Sequence, residues 1–139
     1  MHWHWATAYV GKPYRHGATG PEAYDCWGLL WHVYLHQFGI ELPLMPGISE
    51  ASAACIIREI DSAAREQWAE RQHPKEGYAV AMSQRTAFHH VGVCVRVNGG
   101  LSILHAMDGE QVFVESLRRL KLRGIKRIAY FRHWLWPTS

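Results

Sequence analysis

The sequence predicts an α+β domain in which helices come first and an antiparallel sheet follows. Three observations carry that expectation. Apolar residues recur at helical spacing through the first half of the 139 residues, short alternating apolar runs fill the second half, and an Asn98-Gly99 dipeptide joins two of those runs. With 48% hydrophobic residues the chain suits a single domain over residues 1–139, burying about two-thirds of its unfolded surface. No linker, internal repeat or low-complexity tract divides it.

The elements follow in order. Residues 3–10 read as a short helix ended by Gly11 and Pro13. Residues 26–38 read as a second helix: Asp25 is a good N-cap, Leu30, Trp31, Tyr34 and Phe38 fall at helical spacing, and Gly39 supplies a stop before Pro43. A third spans 50–71, with Ser49 as its cap and Ile56, Ile57, Ile60, Ala64 and Trp68 along its apolar side. Strands are expected at 78–82, 88–97, 100–107, 111–114 and 128–132.

The hairpin geometry can be worked out further. Asn98-Gly99 is a strong signal for a two-residue type I′ turn. With Val97 opposite Gly100, paired positions sum to 197, so His105 faces Gly92. His90 and His105 then become diagonal neighbours on one face, about 7 Å apart at the backbone. A three-residue turn would instead place the two imidazoles on opposite faces. Glycine inside a strand weakens it and often marks the close approach of another group. At Gly92 the expected group is the start of the second helix.

Cys26 is the first residue of that helix. A thiol there meets unpaired N–H groups and the positive end of the helix dipole, both of which favour thiolate. Cys26 is therefore a candidate nucleophile, the alternative being a small buried apolar residue, as most free cysteines are. His90 as base and His105 as the group that orients it complete the set needed for covalent catalysis.

Taken together, Tyr14-Arg15-His16-Gly17, Asp25-Cys26-Trp27-Gly28-Leu29, His90-Val91-Gly92-Val93 and Leu104-His105-Ala106 resemble the successive motifs of the NlpC-type cysteine peptidases. These form the bacterial cell-wall branch of the papain-like fold, and the resemblance runs from about Ala8 to Arg132. It implies N-terminal helices packed on a central antiparallel sheet. It also implies that Cys26 is the nucleophile, His90 the general base and His105 the residue orienting it. Tyr14 matches a tyrosine whose hydroxyl lies near the reacting carbonyl. Asp25 matches the acidic residue before the nucleophile, although helix capping alone is the preferred reading for it. Trp27, like the other tryptophans a core or docking residue by default, is also a candidate for the substrate groove. Trp27 stands where many members carry serine. That choice, with Gly39-Ile40-Glu41-Leu42-Pro43, resembles the phage and prophage tail-associated subgroup. Lys75-Glu76-Gly77-Tyr78 stands where the family usually has a Gly-Asp pair.

Composition narrows the remaining classes. Cys26, Cys55 and Cys94 are an odd set without CxxC spacing, which argues against a disulfide framework or a structural zinc site. Cys55 and Cys94 read as buried fillers. Among ten histidines, His2 with His4 and His89 with His90 invite a shared metal, but no HExxH motif accompanies them. Neither a metal nor another cofactor is expected, and His89 reads as a surface or packing residue. Net charge is +3, concentrated late at Arg118, Arg119, Lys121, Arg123, Lys126 and Arg127. This reads as a solvated face rather than a nucleic-acid site, with attraction to anionic wall polymers as the other reading. Residues 1–5 lack the basic start and apolar core of a secretory signal, and no apolar run is long enough to span a membrane. Synthesis in the cytoplasm and delivery by a phage tail or a lysis event are expected.

The expected function is hydrolysis of an amide bond in the peptidoglycan stem peptide, commonly that between D-glutamate and a diamino acid, with phage tail-tip proteins as partners. Two alternatives stay open: a non-catalytic structural component of a tail tip, and an acyl transferase using the same thioester chemistry.

Overall fold

The computed structural model describes residues 4–44, 56, 67–85 and 88–136. Within residues 3–10 the helical part is a single 3-10 turn, Trp5–Ala8, whose start is capped by the His4 ring accepting from the Ala6 N–H. Helix α1 (Cys26–Phe38) has both predicted ends. The Asp25 side chain accepts from the Gly28 N–H, and Gly39 closes the helix in the left-handed conformation at φ 69°, where glycine carries no Cβ penalty.

The third predicted helix is corrected at its end. Residues 68–71 form strand β1 (Trp68–Arg71), and Trp68 pairs with His133 instead of extending a helical stripe. Ile56 is fully buried in the core. The rest of the expected helix before Gln67, with its Ser49 cap, Cys55, Ile57, Ile60 and Ala64, lies outside the described residues.

Strands β2 (Ala79–Ser83), β3 (His90–Val97), β4 (Gly100–Ala106) and β5 (Val112–Glu115) follow, then helix α2 (Leu117–Leu122) and strand β6 (Arg127–His133). The sheet order is β1-β6-β2-β3-β4-β5, antiparallel throughout. The last strand thus fills the slot between β1 and β2. Both β1 and α2 were missed in the sequence.

Leu29, Leu30, Val33 and Tyr34 of α1 pack with Val91, Val93, Val95 and Leu104 on one face of the sheet. Val80, Met82, Cys94 and Ile103 point the other way, under Leu120 of α2 and Ile125. Cover on both faces explains why β2 is buried along its whole length and lacks polar alternation. Among the described residues no helix is long and apolar enough to cross a membrane.

The hairpin has the predicted register. Asn98 (φ 52°) and Gly99 (φ 80°) both take the positive φ that a type I′ turn requires, and Val97 pairs with Gly100 and Val93 with Leu104. Where the family pattern has Gly-Asp, Glu76-Gly77 still makes a turn. Gly77 lies at φ 92°, and the Glu76 carboxylate accepts from the Arg96 N–H at 2.9 Å.

Candidate active site

The start of α1 is held by the loop that precedes it. Asp25 is buried with both oxygens occupied: Oδ1 accepts from Gly28 N–H at 2.7 Å and Oδ2 from Gly17 N–H at 2.9 Å. The Asp25 N–H in turn donates to the Ala18 carbonyl at 3.0 Å. A Cβ at position 28 would lie 2.0 Å from that carbonyl oxygen, so only glycine permits the loop to close there. Arg15 N–H donates to Tyr24 O at 3.2 Å and Tyr24 N–H to Pro13 O at 3.1 Å. This folded loop sets Tyr14 and His16 beside the first turn of α1.

His90 opens β3, and its Nε2 lies 2.9 Å from Nδ1 of His105. Gly92 allows this pair. A Cβ there would meet Leu104 O and Ile103 Cγ2 at 2.8 Å and His105 Cβ at 3.1 Å. The group that demands glycine is therefore the neighbouring strand β4, not the end of α1 as the sequence suggested. His105 is fully buried, and its Nε2 lies 2.9 Å from Glu115 Oε1. Arg123 Nε donates to both Glu115 oxygens at 2.7 Å, while its two terminal nitrogens grip Glu110 at 2.9 and 3.0 Å. A continuous polar chain thus runs His90, His105, Glu115, Arg123, Glu110.

Burial pushes the His90 imidazole well below its ordinary value near 6.5, and the neighbouring His105, His89 and Arg123 add to the effect. His105 is lowered too, chiefly by burial, with Glu115 opposing. Both rings are therefore neutral at neutral pH. Cys94, buried on the far side of the sheet with no disulfide, has its thiol pushed up to about 12 by burial, which leaves it inert.

A cavity of about 350 Å³ opens where β2 and β4 end and β3 begins, and Cys26, His90, Tyr14, His16, His89 and Asp108 are among its lining residues. A thiol, an imidazole and an aryl hydroxyl around one opening are the groups that acyl transfer at a carbonyl needs. His89 is exposed at this rim, its Nε2 accepting from the Gln84 N–H at 3.2 Å. Trp27 lies elsewhere: it is 1% exposed in the core beneath the sheet, and its indole N–H donates to the Pro43 carbonyl at 2.9 Å. Asp25 faces the Gly17 and Gly28 amides described above. Glu115 was missed in the sequence. The structure places it diagonal to His105 on the same face of the sheet, a register that no short turn dictates.

Residues 11–123 match the NlpC/P60 family, and the chain belongs to that family. It is similar to the NlpC/p60 domain of the peptidoglycan hydrolase SagA, at a TM-score of 0.58 and 25% identity over 90% of this chain and 91% of that one. It is also similar to a lipoprotein-like protein of the NLP/P60 family from Staphylococcus aureus subsp. aureus Mu50, at a TM-score of 0.55 and 23% identity. There 89% of this chain spans 38% of the other, and the likeness bears on the fold. No curated protein matches the chain in sequence. The architecture is the α+β, papain-like one that the motif resemblance implied.

Proposed function

We propose that this protein is a cysteine peptidase that hydrolyses an amide bond in peptidoglycan stem peptides. One observation carries the reading: Cys26, at the first turn of α1, lines the same cavity as His90, whose Nε2 is engaged by His105 at 2.9 Å. Membership of the NlpC/P60 family and likeness to the SagA domain, itself part of a peptidoglycan hydrolase, support the reaction and the substrate class.

In this mechanism His90 takes the Cys26 proton as sulfur attacks the amide carbonyl, forming the S–C bond. The Cys26 backbone N–H, with the Tyr14 hydroxyl as second donor, stabilises the oxyanion. The C–N bond then breaks as His90 returns its proton to the leaving amine, and water hydrolyses the thioester. The D-glutamyl to diamino acid link is the bond proposed. Trp27 and the segment 39–43 support a place in a phage or prophage tail, through their resemblance to that subgroup.

Purified muropeptides incubated with reduced protein and read by mass spectrometry test the proposal. New ends at the D-glutamyl amide are expected with wild type and none with Cys26→Ala. An intact substrate in the presence of a demonstrably reduced thiol would overturn it, and amine adducts in place of free acid would point to a transferase.

A further inference from the structure

We propose that Glu115, clamped by Arg123, is a positioning residue that fixes the protons of both histidines so that the bare Nδ1 of His90 is the atom offered to Cys26. The proposal rests on the peptidase reading above and assigns a fourth member to its site.

Both Glu115 oxygens accept from Arg123 Nε, so the group next to His105 is an acceptor. His105 Nε2 must then carry the hydrogen in its 2.9 Å contact with Glu115 Oε1. A neutral imidazole has one N–H, which leaves His105 Nδ1 as an acceptor. His90 Nε2 therefore donates across its 2.9 Å contact, and its Nδ1 is left without a proton. Neither histidine chooses its tautomer alone; the choice is made at Glu115.

The surroundings are built to hold that choice. Glu115 is 6% exposed at the end of β5, and the next residue, Ser116, caps α2. That helix returns the chain to Arg123, its C-cap, opposite Glu115. Leu120, fully buried, fixes the helix on the sheet. Arg123 cannot drift, because its terminal nitrogens are taken by Glu110, and Arg119 adds a second cation 3.9 Å from the same carboxylate. When His90 becomes an imidazolium, Nε2–H still has its acceptor, and the buried carboxylate faces the new charge through His105.

Glu115→Gln keeps the shape and inverts the pattern. Arg123 retains the amide oxygen, so the amide NH2 turns toward His105 Nε2 and both histidines move their proton to Nδ1. NMR of the histidine ring nitrogens reads this directly. Wild type should carry Nε2–H on His90 and on His105, and a folded Glu115→Gln protein should carry Nδ1–H on both. Iodoacetamide alkylation of Cys26, followed on its own peptide by mass spectrometry, should slow by about tenfold or more at neutral pH and move to higher pH. A wild-type spectrum with the proton on His90 Nδ1, or a folded variant with unchanged ring protonation and alkylation profile, would overturn the proposal. Should the variant not fold, the wild-type spectrum decides alone. If the tautomers are as stated but muropeptides stay intact, the hydrolase reading fails while the assignment of Glu115 stands.

Discussion

Nε2 of His90 and Nδ1 of His105 stand 2.9 Å apart although fifteen positions separate the residues in the chain. What brings them together is the tight turn at Asn98-Gly99, which leaves one register open to β3 and β4. A slip of one residue would turn one ring to the opposite face of the sheet. The turn thus acts on the site from its far end.

Cys26→Ala and His90→Gln should each lower muropeptide cleavage by about a thousandfold or more, and the double variant should be no worse than either, because such groups act as a unit. Glutamine at 90 can still donate to His105 Nδ1, so the fold should persist. Kinetics on reduced protein alongside circular dichroism check this. Multiplying losses in the double variant would refute a shared role.

Gly92→Ala should reduce both stability and cleavage. Its Cβ would stand 2.8 Å from Leu104 O and 3.1 Å from His105 Cβ, so β4 must shift and carry His105 with it. A loss of about 1–3 kcal/mol is expected from such overpacking. Gly100→Ala is the control, since its Cβ meets nothing nearer than 3.9 Å. Equal thermal melts for the two variants would contradict the close approach of β4.

How much of this was legible depended on what fixed each register. The β3–β4 pairing could be derived because a two-residue turn leaves no freedom. The β4–β5 pairing could not, because residues 107–111 make a longer connection that does not dictate register. Glu115 was lost for that reason: it pairs with Ile103 one step beyond the predicted strand end. Trp68 fitted a helical stripe, yet four residues at a sheet edge are too few for alternation to contradict that reading. Helix α2 has six residues and one fully buried side chain, Leu120, so its period is hidden among basic residues. The Asp25 and Gly39 caps of α1, by contrast, are local chemistry and were readable directly.

Asp25 should prove to be a residue of structure rather than of chemistry. Its two oxygens hold the Gly28 and Gly17 amides, so Asp25→Ala should cost about 2 kcal/mol, the upper end for losing a cap. Asp25→Ser keeps a capping oxygen for α1 and gives up the tie to Gly17. It should recover part of the stability and keep cleavage within about tenfold of wild type. Urea unfolding and muropeptide kinetics separate the roles, and an inactive but stable Asp25→Ser protein would assign the carboxylate to the reaction.

His133 gives the fold a measurable sensitivity to acid. Burial lowers its imidazole to about 4, against about 6.5 in an unfolded chain. Between those values the unfolded chain binds a proton that the folded one does not, so stability falls as pH drops through the window. The loss from His133 is on the order of 1–3 kcal/mol, absent above the upper value and complete below the lower one. His90 and His105 shift in the same direction and steepen the decline. His133→Phe keeps an aromatic ring against Trp68 and Tyr34 but removes the acceptor for the Leu135 N–H, at about 1 kcal/mol independent of pH. Urea midpoints taken from neutral pH into this window should therefore fall less steeply for the variant than for wild type. Parallel curves would show that His133 takes up its proton as readily in the folded chain as in the unfolded one.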